Sequence, residues 1–156
     1  MEKTNAMRIL DKHKITYEVK TYDASDGVID GVSVAKKVGQ DPKIVYKTLV
    51  TQGKSRNYFV YVIPVECELD LKAAAKAVGE KSVEMIPVAE INKVTGYIRG
   101  GCSPVGMKKL FQTVIDSSAK ELERFFVSGG KIGIQLGLPP LVLSDLIRAT
   151  FDTITA

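Results

Sequence analysis

Two glycine-rich turns each deliver lysines: Gly96-Tyr97-Ile98-Arg99-Gly100-Gly101-Cys102-Ser103-Pro104 running into Lys108-Lys109, and Ser128-Gly129-Gly130-Lys131-Ile132-Gly133. Paired glycines allow backbone N–H groups to converge on an anion or a polarised carbonyl, because no Cβ blocks the approach and positive φ carries no steric cost. The lysines add positive charge beside those donors. Glycine pairs also end strands, so a plain hairpin is the competing reading of either turn alone. The recurrence of a basic glycine turn favours a binding site.

Lys47 is the other residue that could do chemistry. The run Ile44-Val45-Tyr46-Lys47-Thr48-Leu49-Val50 alternates, so Val45, Lys47 and Leu49 share one face of a strand and an ammonium sits among apolar neighbours. Either the strand end is wet and the side chain snorkels, or the lysine enters a pocket and holds a ligand. Cys102 lies within the first glycine turn. Convergent N–H groups and lysines could acidify its thiol, but no histidine is close in sequence to serve as base, which favours a small side chain filling the turn. Cys67 lies between Glu66 and Glu68, whose charges oppose a thiolate.

The single histidine, His13, falls in the polar run Asp11-Lys12-His13-Lys14 and reads as a solvated helix end. A Ser-His-Asp or Cys-His device would need it to reach a distant nucleophile, and one histidine with two separated cysteines does not make a zinc site. Gly-Gly-Lys-Ile-Gly around Lys131 lacks the spacing of a phosphate loop or a dinucleotide fingerprint. No metal and no cofactor is expected.

The elements that must position these residues can be read from caps and periodicity. Thr4 can cap a helix with Met7, Ile9 and Leu10 on its apolar face, followed by an extended Tyr17 to Tyr22. Asp23 to Gly31 is a polar loop long enough to lie over a site, after which Ser33 caps a short helix that Gly39 ends. Val45 to Thr51 and Asn57 to Val65 form an antiparallel hairpin at the centre of the sheet. Asp70 caps a helix ending at Gly79, Val83 to Ile86 returns as a strand, and Pro87 opens a helix leading to Gly96. Later strands are Thr113 to Ile115, Phe125 to Val127 and Ile132 to Leu136. Pro139-Pro140 breaks the chain, Ser144 caps a last helix over Asp145 to Ala149, and Asp152 to Thr155 adds an edge strand. The expected class is α+β: a curved, mostly antiparallel mixed sheet flanked by short helices.

With 156 residues, 45% hydrophobic and 26% charged, the chain suits one domain spanning residues 1–156. No apolar run reaches membrane-span length and Met1-Glu2-Lys3-Thr4 lacks the start of a signal peptide, so a cytoplasmic protein with free thiols is expected. Twenty-two basic against eighteen acidic residues give a net charge of +4, which permits a nucleic-acid partner without requiring one. Either the lysines in the turns form a one-sided basic face, or they belong to a scattered solvated surface.

Taken together, Val45-Tyr46-Lys47-Thr48-Leu49, Gly96-Tyr97 with Gly100-Gly101-Cys102-Ser103-Pro104-Val105-Gly106, and Val127-Ser128-Gly129-Gly130-Lys131 resemble the YbaK/EbsC family of aminoacyl-tRNA deacylases. The likeness extends to the opening helix and strand ending Thr21-Tyr22 and to the helix start Leu69-Asp70-Leu71-Lys72. It implies a YbaK-like fold with the sheet partly closed into a barrel. Proteins of this family are similar to the editing domain inserted in some bacterial prolyl-tRNA synthetases and clear mischarged tRNA in trans; the Cys-tRNA(Pro)/Cys-tRNA(Cys) subgroup is the nearest match.

The resemblance further implies a site. Lys47 would contact the aminoacyl moiety or the terminal ribose, with Thr48 and Tyr22 lining the same pocket. Gly100 to Pro104 would match the family's Gly-x-x-x-Pro loop, so amides around Gly100, Gly101, Cys102 and Ser103, ending at Pro104, would approach the ester carbonyl or the terminal adenosine. Ser128, Gly129 and Gly130 would close the other side, while Lys108, Lys109 and Lys131 would meet tRNA phosphates. Cys102 stands where an aliphatic residue is more usual and Gln135 where relatives often carry an acid. The implied reaction is hydrolysis of Cys-tRNA(Pro), with the substrate's own thiol as nucleophile, a tRNA acceptor end as partner and prolyl-tRNA synthetase as a possible second partner. An Ala-tRNA(Pro) deacylase and a non-catalytic tRNA- or synthetase-binding module are the alternatives.

Overall fold

A computed structural model describes residues 2–156. Helix α1 (Asn5–Lys12) begins where the Thr4 side chain accepts from the Met7 amide, and it buries Ala6, Met7 and Leu10. After strand β1 (Glu18–Thr21) and the polar loop, helix α2 (Gly31–Lys37) is capped by Asp30. This corrects the expected cap: the Asp30 carboxylate accepts from the amide of Ser33, which is already inside the helix. Strands β2 (Tyr46–Gly53) and β3 (Tyr58–Pro64) pair in register from Tyr46↔Pro64 to Gln52↔Tyr58, the expected hairpin.

Asp70 caps α3 (Leu71–Ala77), accepting from the amides of Lys72 and Ala73. Strand β4 (Val83–Met85) and helix α4 (Ile91–Thr95) follow, and Gly96 at φ 87° ends α4 in the left-handed conformation. The remaining elements are β5 (Gln112–Asp116), β6 (Phe125–Ser128), β7 (Ile134–Leu138), α5 (Pro140–Ile147) and β8 (Thr150–Asp152). The proline pair does more than break the chain. Pro140 occupies the first helical position, where a missing N–H costs nothing, so α5 starts earlier than expected and Ser144 lies inside it, donating to the Leu141 carbonyl. The last strand also starts earlier, at Thr150, while Thr155 makes only an isolated bridge to Leu69.

The class is α+β and the pairing mostly antiparallel, with β3–β5 and β5–β8 as the parallel pairs. The strands divide into two sheets, β4-β2-β3-β5-β8 and β1-β7-β6, and these do not close into a barrel. They meet through a parallel bridge between Val45 and Phe126. A shared core holds them together: Val62 and Ile115 from the larger sheet pack with Phe125, Val127 and Leu136 from the smaller one and with Leu10 and Leu143 from α1 and α5. Tyr46 crosses Phe125 edge to face, with ring centroids 5.0 Å apart. Near the bridge, the start of β2, the end of β1 and the β6–β7 hairpin surround a cavity.

Candidate active site

The cavity has a volume of about 820 Å³. Its walls come from Val45 to Leu49 of β2, Tyr22 after β1, Ser128 and Gln135 of the β6–β7 pair, Gly27 to Gly31, and Arg99, Gly100 and Cys102 of the first glycine turn. The second half of the loop before α2 thus lines the cavity.

Lys47 is half-buried on this wall, opposite Ile63 in the hairpin register. Among the described residues the ion pairs engage Lys3, Lys20, Lys37 and Arg124 and leave Lys47 without a carboxylate partner. The lysine thus lines the cavity. Next to it, the Thr48 hydroxyl oxygen is buried with no hydrogen-bond partner among the described residues, and so is Gln135 Oε1. Orphaned polar atoms at a cavity wall are unusual enough to suggest that a ligand group completes them.

The two glycine turns pack against each other. A Cβ added at Gly101 would stand 3.0 Å from the Ile132 amide nitrogen and 3.2 Å from the Lys131 carbonyl carbon, so glycine is what lets one turn lie on the backbone of the other. Gly100 adopts φ +85°, and a Cβ there would meet Ile29 Cδ1 at 2.8 Å. The Tyr97 hydroxyl donates to the Val105 carbonyl and holds the first turn closed.

Not every glycine amide of the two turns is free. The Gly101 amide donates to Ile98 O (2.9 Å), the Gly129 amide to Ile134 O (2.9 Å), and the Gly130 amide to Ser128 Oγ (3.3 Å). Those donors are committed within the turns. Among the described residues, the Gly100 amide donates to no protein acceptor. Thus Tyr22, Lys47, Thr48, Gly100, Cys102 and Ser128 are brought together on the cavity, whereas Gly101, Ser103, Pro104, Gly129 and Gly130 are not on its lining. Ser103 and Pro104 are buried, and the Ser103 hydroxyl accepts from the Val105 amide.

Among the described residues no histidine lines the cavity and Asp30 is its one carboxylate. Burial pushes the Cys102 thiol up to about 11, which keeps it protonated and unreactive at neutral pH. Burial and then Glu66 raise Cys67, and His13 sits exposed as the C-cap of α1. Asp30, the carboxylate on the lining, is held below its ordinary value by the hydrogen bond from the Ser33 hydroxyl and then by the Ser33 amide.

The lysines placed at phosphates, Lys108, Lys109 and Lys131, are all exposed, and the Lys108 ammonium also donates to the Lys93 carbonyl at the end of α4 (3.1 Å). Reading the chain for sites gave no role to Arg99 or Ile29, both on the cavity wall. The available signals were an arginine directly before Gly100 and a large apolar residue in an otherwise polar loop.

Comparison with known proteins places these features in context. The family model described as "Aminoacyl-tRNA editing domain" matches residues 29–146, a span that includes Lys47, Gly100, Ser128 and Gln135. The chain is similar to the Enterococcus faecalis protein named "Putative Cys-tRNA(Pro)/Cys-tRNA(Cys) deacylase EbsC", with 43% identity over 99% of this chain and 94% of that one. Among solved structures, one described as "a putative trans-editing enzyme for prolyl tRNA synthetase" superposes with a TM-score of 0.83 at 20% identity, covering 99% of both chains. Another, "hypothetical protein APE2540", superposes with a TM-score of 0.87 at 19% identity over 96% of this chain and 98% of that one. At these identities the structural matches speak for the fold.

Proposed function

This chain belongs to the aminoacyl-tRNA editing domain family, and from that premise we propose that it hydrolyses mischarged Cys-tRNA(Pro) in trans, with Cys-tRNA(Cys) as a related substrate. The observation that carries the reading is an unpaired lysine on a cavity with no protein nucleophile or strong base. An aminoacyl ester is already activated and needs chiefly positioning and stabilisation of the oxyanion. The Lys47 ammonium and the Gly100 amide would supply it, beside the Arg99 guanidinium and the Cys102 amide on the same lining. The burial that raises the Cys102 thiol to about 11 speaks against it as nucleophile.

In this reading the substrate cysteine provides the nucleophile. Its sulfur attacks its own ester carbonyl, a C–S bond forms, the C–O bond to the ribose breaks, and the ribose oxygen leaves as a hydroxyl with the proton lost by the thiol. Water then opens the thiolactone to free cysteine. Alanyl and prolyl esters lack the thiol and cannot follow this route even where they fit. Thr48 and Gln135, with their unpartnered oxygens, would receive N–H or O–H donors of the aminoacyl-adenosine end, and Tyr22 and Ser128 would flank it. Lys108, Lys109 and Lys131 are exposed cations that would meet tRNA phosphates. The chain would act in the cytoplasm as one editing domain, alone or alongside a prolyl-tRNA synthetase.

The deciding experiment is a panel of tRNA(Pro) and tRNA(Cys) charged with cysteine, alanine or proline. Release of cysteine well above the others is expected, together with loss of turnover in Lys47→Ala at unchanged thermal stability. Preferential release of alanine would assign the alanine-editing role instead. Salt-sensitive tRNA binding with no ester cleavage would leave only a binding module and refute the reading.

A further inference from the structure

We propose that Lys37 is the positioning residue of the cavity: it ties the loop between β1 and α2 into a preformed wall, so that the site meets its substrate already shaped. This rests on the deacylase reading of the cavity given above. The loop pairs with no strand. Its own turns are local, with Asp23 Oδ1 accepting from the Ser25 amide (2.9 Å), Asp26 Oδ1 from the Val28 amide (3.0 Å) and Ala24 O from the Gly27 amide (3.0 Å). Such turns give the loop a shape without fixing it to the body of the protein.

The attachment comes from the last turn of α2. The Lys37 ammonium donates to Asp23 O (2.8 Å), Asp26 Oδ1 (2.8 Å) and Val28 O (2.9 Å). An ammonium has three N–H donors, and here each has its own acceptor, drawn from the start, the apex and the far limb of one loop. An isolated surface ion pair such as Lys37 with Asp26 would contribute little. The two carbonyl bonds change its role, because one cation cross-links positions that are otherwise free to separate. The lysine side chain is only 22% exposed although Asp26 is 53% exposed, which places the ammonium beneath the loop. At its other side the loop rests on the first glycine turn, where Ile29 Cδ1 comes close to the Cα of Gly100. Lys37 therefore sets how closely Ile29 approaches the turn that carries the Gly100 amide, without itself lining the cavity.

Loss of this tie should lower the fraction of molecules with a competent wall and raise the apparent KM in proportion; a loop in place one-tenth of the time raises it about tenfold, while saturating substrate re-forms the wall and leaves kcat nearly unchanged. The test compares Lys37→Met with Lys36→Met, which removes the same charge from the same helix, and with Lys37→Arg, by amide hydrogen exchange over residues 23–31 and by steady-state deacylation of Cys-tRNA(Pro). Faster exchange and raised KM in Lys37→Met, neither in excess of wild type in Lys36→Met beyond the common charge effect, with partial recovery in Lys37→Arg, is the expected result. Unchanged exchange in Lys37→Met, or faster exchange with a KM equal to that of Lys36→Met, overturns the proposal. Wild-type protein that cleaves no charged tRNA refutes the deacylase reading instead, and the exchange measurement then decides by itself whether Lys37 holds the loop.

Discussion

Gly101→Ala separates close packing from backbone flexibility as the reason for a glycine. Gly101 does not adopt a left-handed φ, so alanine is conformationally acceptable there, and the whole effect must come from contact. The new methyl would lie 3.0 Å from the Ile132 nitrogen, 3.2 Å from the Lys131 carbonyl carbon and 3.3 Å from Lys131 Cα. All three are backbone atoms of a turn whose own hydrogen bonds resist movement, so relief requires the two turns to separate by several tenths of an ångström. Overpacking of this kind costs about 1–3 kcal/mol. In a chain of this length that corresponds to a fall in Tm of roughly 3–9 °C. Because Gly100 is the next residue, the same displacement moves its amide, and misplacement on the ångström scale costs up to about 100-fold in rate. Gly39→Ala is the contrasting variant: at φ +71° with no atom within 4 Å, it carries only the left-handed penalty of about 1–2 kcal/mol and should leave turnover intact. Urea unfolding and Cys-tRNA deacylation on both variants read the two effects. A Gly101→Ala protein as stable and as active as wild type would refute the packing of turn on turn.

Three further outcomes are expected. Cys102→Ser should retain most deacylation, since a thiol raised to about 11 is not the nucleophile, and rate–pH profiles of the two proteins should coincide through neutral pH; complete loss of turnover in a stably folded variant would contradict the substrate-assisted route. Thr48→Val should leave stability unchanged or raise it by about 1 kcal/mol, because it removes a buried hydroxyl that has no partner, while raising KM if that hydroxyl serves the substrate; a marked fall in Tm would show a hidden structural bond. The Asp26 carboxyl is lowered from 3.8, first by its hydrogen bond from Lys37 and then by the Val28 amide, so its contribution is complete above that value and is lost as the pH falls through the lower folded one. Amide exchange in the loop, corrected for intrinsic rates, should accelerate only on that acid side, and acceleration beginning near neutrality would point to another group.

Much of the fold was legible because its signals are local. Thr4, Asp70 and Gly96 act as the caps their positions suggest, and the alternation through Val45 to Val65 yields the central hairpin. Asp30 and Ser33 show the limit of such reading: both residue types cap helices, and only the backbone direction at Asp30 decides between them. The division into two sheets was not legible, because it depends on β1 pairing with β7 across most of the chain. In the site, alternation placed Lys47 on a wall with apolar neighbours, but only tertiary structure shows that no carboxylate reaches it. The glycines posed a harder problem. Amide presentation and close packing select the same residue, and the structure assigns packing to Gly101, a left-handed turn to Gly130, and leaves the Gly100 amide without an acceptor among the described residues.

The pairing of Glu18 with Gly137 has a consequence for when the protein can work. Tyr22 directly follows the first strand to be synthesised and Gln135 belongs to nearly the last, and they face one cavity only after that long-range pairing has closed. Bringing such distant segments together must precede any reward from their contacts, which places the wall among the late events of folding. A chain still emerging from the ribosome would hold Lys47 in its finished hairpin yet have no enclosed site around it. Activity would therefore switch on once, at completion, and an incomplete chain would have no half-built cavity with which to attack correctly charged tRNA.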